Sequence, residues 1–481
     1  MTKAHEKLVD EGSFVANDGD LPIANLLDFP EYEKSLRAAQ EGTGESESVT
    51  TGRAVVGGHE IEFASFNFEF LGGSMGSVAG ELLARAIERA AKEQRPFVLR
   101  CATGGARMQE GMKSLAQMPK IVAARIELAR AHMPYVVLFD HPTTGGVLAS
   151  LGALADVTFA IRGATIGFAG PRIVEQFTGH ALAEGSHTAE SALHNGLVDR
   201  VVTDEEARSV LIKTLGVLSA DVPVEVEARA LAVDDADIDE WDIVRSARAS
   251  ERASGPDLAH DICDETVELR GDRSGSDDSA LHCIVGRVAG RKAVVIATGR
   301  ATAPTAAGLR KARRCIEVAG RLNLPVVTIV DTTGADPSED SEASGVAWEI
   351  ARLFESVLTV PVPVVSVVTG EGGSGGALAL AVADALVAYS GSFFSVINPE
   401  SAAEILWRDA SRAPEAARAL KLSATDLVRL GIADEIVAEP LSGESLRRVV
   451  AYHLDRLTGG DLTRHELALE RQRRWRKRDQ P

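Results

Sequence analysis

The stretch "VVTGEGGSGGALALAV" runs from Val367 to Val382, from β-branched residues through five glycines into an alanine-rich segment. That order reads as a strand, a tight turn and a helix. A helix N-terminus behind such a turn aims several backbone N–H groups at one spot, which suits an anion. Spacing rules out the usual nucleotide phosphate. A P-loop reads G-x-x-x-x-G-K-[ST], whereas Gly376 is followed by Ala377 and Leu378, so neither lysine nor hydroxyl is placed for phosphate and Mg²⁺. Gly370, Gly372 and Gly375 match G-x-G-x-x-G, but no ribose-binding acid completes a dinucleotide unit.

The same arrangement occurs a second time. "MPYVVLFDHPTTGGVLASLGALADVTFAI" from Met133 parallels "PVPVVSVVTGEGGSGGALALAVADALVAY" from Pro361, each reading strand, glycine turn, apolar helix, aspartate, strand. "RPFVLRCATGG" from Arg95 pairs with "LPVVTIVDTTG" from Leu324, "GATIGFAGPRIVEQ" with "GSFFSVINPESAAEI", and "HNGLVDRVV" with "LGIADEIVA". An offset of about 230 residues is too long for a solenoid repeat and indicates two homologous domains. Alternating strands and helices predict an α/β class with mainly parallel strands, and ligands gathered at the strands' C-terminal ends. The expected division is an N-terminal arm over 1–45, a first domain over 46–222, an acidic and then mixed linker over 223–256, a second domain over 257–460 and a basic tail over 461–481.

Composition narrows the function. A net charge of -19 disfavours nucleic acid as a partner, because phosphate binding needs a basic surface. The local exception, "ERQRRWRKRD" from Glu470, reads as a solvated helix end. No apolar run is long enough to span a bilayer and no signal-peptide core opens the chain, so a cytoplasmic, membrane-free protein is expected. Cys101, Cys263, Cys283 and Cys315 are scattered and read as small apolar residues.

Candidate chemistry lies in the glycines. Gly145-Gly146 and Gly375-Gly376 open helices whose first N–H groups lack intrahelical partners. Gly72-Gly73 and Gly104-Gly105 are positioned to cap the same pocket, and Gly372-Gly373 to line the second. Read singly, each pair is a tight turn or a close-packing position; as a repeated set they read as a site. No nucleophile with an apt base emerges. Ser74 and Ser77 are not on a G-x-S-x-G elbow, and His141 and His180 lie on loops without a neighbouring acid in any known catalytic arrangement. No metal-ligand spacing is present. Lys113 follows a methionine, as biotinyl lysines do, but sits in a run of helical period. What is left is stabilisation of an oxyanion by preorganised amides.

At these residues the chain resembles bacterial acetyl-CoA carboxylase carboxyltransferase, with a β-subunit-like first half and an α-subunit-like second half fused together. "FEFLGGSMGSVAGE", "TGGARMQEGM", "DHPTTGGVLAS" and "IGFAGPRIVEQ" carry the first likeness; "VELRGDR", "GEGGSGGALAL" and "INPESAAEILW" carry the second. The resemblance implies tandem crotonase-like domains. It also implies transfer of a carboxyl group from carboxybiotin, on a separate carrier protein, to acetyl-CoA or another short acyl-CoA, giving malonyl-CoA for fatty acid biosynthesis. Gly145 and Gly146 would then serve the thioester oxygen, and Gly375 and Gly376 the ureido oxygen. No cofactor would be held covalently and no metal would be needed. Biotin carboxyl carrier protein, biotin carboxylase and further copies of the chain are the implied partners, with the two holes meeting across a homodimer interface.

Three departures accompany the likeness. The β subunit's four-cysteine ribbon has no counterpart, the stretch after "KAVVIATGR" is shortened, and "DTTGADPSEDSEASG" from Asp331 replaces the family's D-T-P-G-A-Y-P and following helix start. The last two lie on the expected biotin side. A malonyl-thioester decarboxylase without biotin, or a non-catalytic scaffold, are the competing readings.

Overall fold

The computed structural model describes residues 7–17, 21–25, 27–222, 238–438, 440–460 and 462–477. The chain divides into two compact units, with the boundary between Ser219 and Ala220.

The first unit is built on one sheet. Its strands are β1 (Val15–Ala16), β2 (Val49–Val56), β3 (His59–Phe66), β4 (Phe97–Thr103), β5 (Tyr135–Thr144), β6 (Val157–Ile161), β7 (Ile166–Gly167) and β8 (Arg200–Val202). They run in the order β1-β2-β3-β4-β5-β6-β8, with β7 paired to the end of β5. The second unit repeats this with β9 (Thr266–Glu268), β10 (Leu281–Val288), β11 (Arg291–Thr298), β12 (Val326–Thr332), β13 (Val364–Gly373), β14 (Ala385–Tyr389), β15 (Phe393–Ser395) and β16 (Glu435–Val437). The order there is β9-β10-β11-β12-β13-β14-β16, and β15 pairs with β13. In each unit the first two long strands are antiparallel and all later pairings are parallel.

Parallel central strands are covered on both faces, so they read as unbroken apolar runs. β13 is buried along its whole length, and Val365, Val367, Ile329 and Val387 meet in the second core. In the first unit the helix Ser77–Lys92 lays Ala79, Leu83, Ala86, Ile87 and Ala90 against Phe97, Leu99 and Ile121. Those positions recur at three- and four-residue intervals, the period of one helical face.

The three segments expected at the margins are all held by the folded body. From residue 238 onward the supposed linker belongs to the second unit, whose helix Glu240–Ala247 buries Ile243, Val244 and Ala247 against Phe393, Ala417 and Leu422. Residues 223–237 of that segment lie outside the described residues. In the arm, Tyr32 opens the helix Tyr32–Thr43 and is itself buried, its hydroxyl donating to Glu110 at 2.8 Å.

The basic tail is the clearest correction. It forms the helix Arg464–Lys477, and Arg471 is fully buried rather than solvated. Its guanidinium grips Asp384 at 2.9 and 2.6 Å and donates to the carbonyls of Val357, Val360 and Val362. A buried arginine is tolerable only when carboxylate and carbonyl acceptors satisfy it in this way. Trp475 completes the seat by donating its indole N–H to the Ala383 carbonyl at 3.1 Å. Replacing Trp475 with phenylalanine removes that single donor and should lower stability by about 1 kcal/mol. A shift of the urea unfolding midpoint reads this directly; an unchanged midpoint would mean that the tail adds no stability through this contact.

Candidate active site

Each unit places a left-handed residue where its central strand turns into a helix. After β5, Gly145 has φ 71° and opens the helix Gly145–Ser150; after β13, Ser374 has φ 56° and opens Ser374–Ala381. Strand register fixes which residues correspond. Thr103 lies opposite Thr143 in the first sheet and Thr332 opposite Gly372 in the second, so Gly145 matches Ser374 and Gly146 matches Gly375. The glycine pairs that look interchangeable in sequence are therefore displaced by one residue. Val147, a buried core residue, stands where the second unit has the buried Gly376.

That displacement changes the roles expected of the glycines. The Gly145 amide donates to the Phe168 carbonyl at 2.9 Å, so it is spent on the fold and is not an oxyanion donor. Its contribution is conformational: with φ 71°, a Cβ there would stand 2.9 Å from the Gly105 Cα. The amides of Gly146, Gly375 and Gly376 have no hydrogen-bond partner among the described residues. Gly146 and Gly375 are partly exposed, as a donor to a bound substrate has to be.

The remaining glycines are walls. Gly73 donates to Phe70, Gly104 to Gly72 at 2.8 Å, and Gly105 to the Thr103 hydroxyl at 2.9 Å, so these amides too are engaged. A Cβ on Gly73 would fall 2.2 Å from the Ala102 carbonyl, on Gly372 2.2 Å from the Phe394 ring, and on Gly373 1.9 Å from the Thr333 carbonyl. Their small size lets one chain segment approach another.

Two donors escape the glycine reading altogether. Ala106 ends the turn Thr103–Ala106 and Ala335 ends the turn Thr332–Ala335; both are partly exposed, and neither amide has a partner among the described residues. Ala335 lies against the second helix start, its nitrogen 2.4 Å from where a Gly376 Cβ would be. In both units the turn is pinned by the threonine that precedes it. Thr103 Oγ1 accepts from the Gly105 amide at 2.9 Å, and Thr332 Oγ1 from the Gly334 amide at 3.4 Å. The matching "TGGA" and "TTGA" were visible in the repeat, but alanine carries no side-chain signal for a main-chain donor. An amide from this turn and one from the helix start make a two-donor cradle for an oxyanion.

No side-chain alternative competes. His141 Nδ1 accepts from the Thr165 amide at 3.2 Å, His180 is exposed, and the Ser74 hydroxyl donates to the Leu71 carbonyl at 2.8 Å. Lys113 is exposed on the short helix Met112–Leu115. None of the four cysteines is in a disulfide, and burial pushes the Cys101 and Cys263 thiols up to about 12, which makes them poor nucleophiles. Among the described residues no cluster of three metal-ligating side chains forms, and no helix is long and apolar enough to cross a membrane.

Comparison with known proteins fits this geometry. Residues 225–476 match the family model described as acetyl co-enzyme A carboxylase carboxyltransferase-like. The acetyl-coenzyme A carboxylase carboxyl transferase subunits beta/alpha of Salinispora arenicola are 41% identical over 98% of this chain and 89% of theirs. The chain belongs to the acetyl-CoA carboxylase carboxyltransferase family. A probable biotin-dependent acyl-coenzyme A carboxylase beta3 subunit of Mycobacterium bovis is 36% identical over 90% of this chain and 88% of its own. In fold, this carboxyltransferase is similar to the transcarboxylase 12S core solved with methylmalonyl-coenzyme A, at TM-score 0.78 and 22% identity over 96% and 90% of the two chains. It is likewise similar to a single-chain long-chain acyl-CoA carboxylase, at TM-score 0.74 and 20% identity over 95% of this chain and 45% of the other. The two-sheet α/β architecture expected of tandem crotonase-like domains is thus the architecture of this carboxyltransferase.

Proposed function

We propose that this protein is the carboxyltransferase component of a biotin-dependent acyl-CoA carboxylase, acting in the cytoplasm on acetyl-CoA or a comparably short acyl-CoA. The observation that carries the reading is the duplicated cradle, in which Gly146 with Ala106, and Gly375 with Ala335, present unpartnered amides at the mouths of equivalent strands. Carboxyl transfer passes through two oxyanions, and two cradles are what it asks of a protein.

The thioester is assigned to the first unit and the ureido group of carboxybiotin to the second. The N–carboxyl bond of carboxybiotin breaks, and the electron pair left on the ureido group is held as an enolate by the second cradle. That anion takes the α-proton of the acyl-CoA, whose thioester enolate is held by the first cradle while its α-carbon attacks the CO₂. Both sets of amides stabilise charge that exists only near the transition states, so they act on kcat more than on ground-state binding. No protein base is required, because the ureido anion itself takes the α-proton.

Partners follow from the chemistry: a biotin carboxyl carrier, a biotin carboxylase to recharge it, and further copies of this chain. Support for self-association comes from exposed apolar side chains in each unit. Phe168, Ile173 and Phe177 are 70%, 59% and 92% exposed in the first unit, and Ile405 and Leu406 are 65% and 63% exposed in the second. Exposed apolar groups clustered like this mark association surfaces.

The test is transfer of label from bicarbonate to acetyl-CoA by the purified chain with biotin carboxylase, carrier protein and ATP. Turnover of malonyl-CoA without any biotin protein would favour the decarboxylase instead, and no label in any acyl-CoA would favour a scaffold. Within the active system, Gly146→Val should lower kcat by about 10²-fold, the worth of one oxyanion donor. A Cβ at Gly146 meets only the Met118 thioether, at 2.9 Å, a flexible neighbour that can yield, so the fold should survive. Normal kcat in this variant would remove the first cradle from the mechanism.

A further inference from the structure

Both sheets carry the same irregularity one residue before the cradle, yet they fill it differently. In the first, Cys101 is opposite Phe139 and Thr103 opposite Thr143, so residues 140–142 face Ala102 alone. In the second, Val330 is opposite Val368 and Thr332 opposite Gly372, so residues 369–371 face Asp331 alone. A bulge leaves backbone groups without ladder partners. In the second unit a side chain takes their place, since the Glu371 amide donates to Asp331 Oδ1 at 3.0 Å. Gly370 is glycine for this reason: its Cβ would stand 2.2 Å from that oxygen.

Asp331 is completely buried, and its amide donates to the Thr298 hydroxyl at 2.7 Å. Oδ2 makes no hydrogen bond and faces two guanidiniums, Arg252 and Arg300, each at 3.6 Å. These arginines are fixed elsewhere: Arg252 donates to the carbonyls of Ala247 and Thr369, and Arg300 to those of Ala249 and Arg252. Glu371, the next acidic group, is neutralised by Arg248 at 2.9 Å through both oxygens, and Arg248 reaches on to Glu400 at 2.7 Å. The charged groups facing Asp331 are therefore Arg252 from the segment after helix Glu240–Ala247, Arg300 from the turn after β11, and Glu371 from β13 with its partner Arg248, which directly follows that helix.

We propose that Asp331 is a positioning residue for the second cradle, its buried carboxylate locking the turn Thr332–Ala335 to the turn Glu371–Gly376 through the Glu371 amide and the two guanidiniums. It touches no reacting atom. It acts by joining the two chain segments that supply the donors, and it deepens the function proposed above, resting on that reading for its catalytic consequence. Burial outweighs the arginines and lifts the Asp331 carboxyl to about 6. The carboxylate is then the working form near neutrality, and proton uptake at lower pH would release both arginines from it. The acid limb of kcat should accordingly fall with a midpoint close to the Asp331 value.

The experiment uses the full chain and two readouts. In hydrogen–deuterium exchange, Asp331→Asn should speed exchange at least tenfold in peptides covering 331–336 and 370–377 together, with the first sheet's peptides unchanged. In the reconstituted transfer assay the same variant should lose tenfold or more in kcat, keep its acyl-CoA KM within twofold, and lose the acid limb. Arg300→Gln, which leaves the carboxylate one guanidinium, should move the acid-limb midpoint up by half a pH unit or more. Unchanged protection of both peptides in Asp331→Asn overturns the proposal, and so does an acid limb unmoved by both variants. A wild-type chain inactive with carrier and carboxylase overturns the carboxyltransferase reading instead, while the exchange result still decides the positioning role.

Discussion

Gly376→Ala is expected to cut kcat by about 10³-fold while leaving acyl-CoA KM nearly unchanged, the loss of a preorganised donor set rather than of ground-state affinity. The added Cβ would sit 2.4 Å from the Ala335 amide nitrogen and 3.1 Å from its Cα, both main-chain atoms that no rotamer change can move aside. Either the turn Thr332–Ala335 or the helix start must shift, and one ångström of misplacement at a donor pair is enough to lose most of its value. The control is Gly375→Ala, one residue earlier, where an added Cβ meets nothing within 4 Å and no left-handed φ is needed. That variant should keep the fold and report only on crowding at the mouth. Steady-state kinetics on both variants, with circular dichroism to confirm folding, checks the pair. If Gly376→Ala turns over within tenfold of the wild type, the second cradle has been assigned to the wrong atoms.

Arg107→Met should be the most destabilising single change in the first unit, by roughly 3–5 kcal/mol. The guanidinium is fully buried directly after Ala106 and pairs with Glu47 and Glu110, while also donating to the Ser74 carbonyl at 2.7 Å. Glu110 in turn accepts from the Ser77 amide at 2.6 Å and from the Tyr32 hydroxyl at 2.8 Å. One cation therefore balances two carboxylates in a dry site, and its removal leaves both uncompensated. A fall of roughly 10 °C in the first thermal transition is expected. Adding Glu47→Gln to Arg107→Met should restore part of it, because one stranded charge is then gone. A double variant no more stable than the single one would show that packing, not charge, is what Arg107 supplies.

The repeated strand–turn–helix units, the parallel sheets and the position of the glycine turns could be read directly from residue pattern, because each rests on local periodicity and turn chemistry. The donors could be read only in part. "GG" at 145–146 and at 375–376 look alike, and only the pairing of Thr103 with Thr143, against Thr332 with Gly372, shows that they are offset. Gly145 reads as a donor in sequence because nothing local announces that Phe168, over twenty residues away, accepts its N–H. Ala106 and Ala335 act through main chain, which every residue possesses, so composition cannot single them out. The basic tail failed for the opposite reason. Its charges are conspicuous, but whether Arg471 is solvated or buried depends on Asp384, which the fold brings to it from 87 positions earlier. Likewise Arg248 and Arg252 lie in a stretch that looks like a spacer, and only their contacts with Glu371 and with the Thr369 carbonyl reveal them as part of the second unit.

The unequal filling of the two bulges has a consequence for how this enzyme can diversify. Ala102 is small and neutral, so no ion sits at that position of the first sheet, and the charge that steadies the first turn comes from Arg107, on its far side. The second turn is anchored to an ionic knot whose members are mutually dependent, and a lone substitution there strands an ion in the protein interior. Substitution should therefore be tolerated more freely at position 102 than at position 331, because only the second strands ions that the fold has already buried.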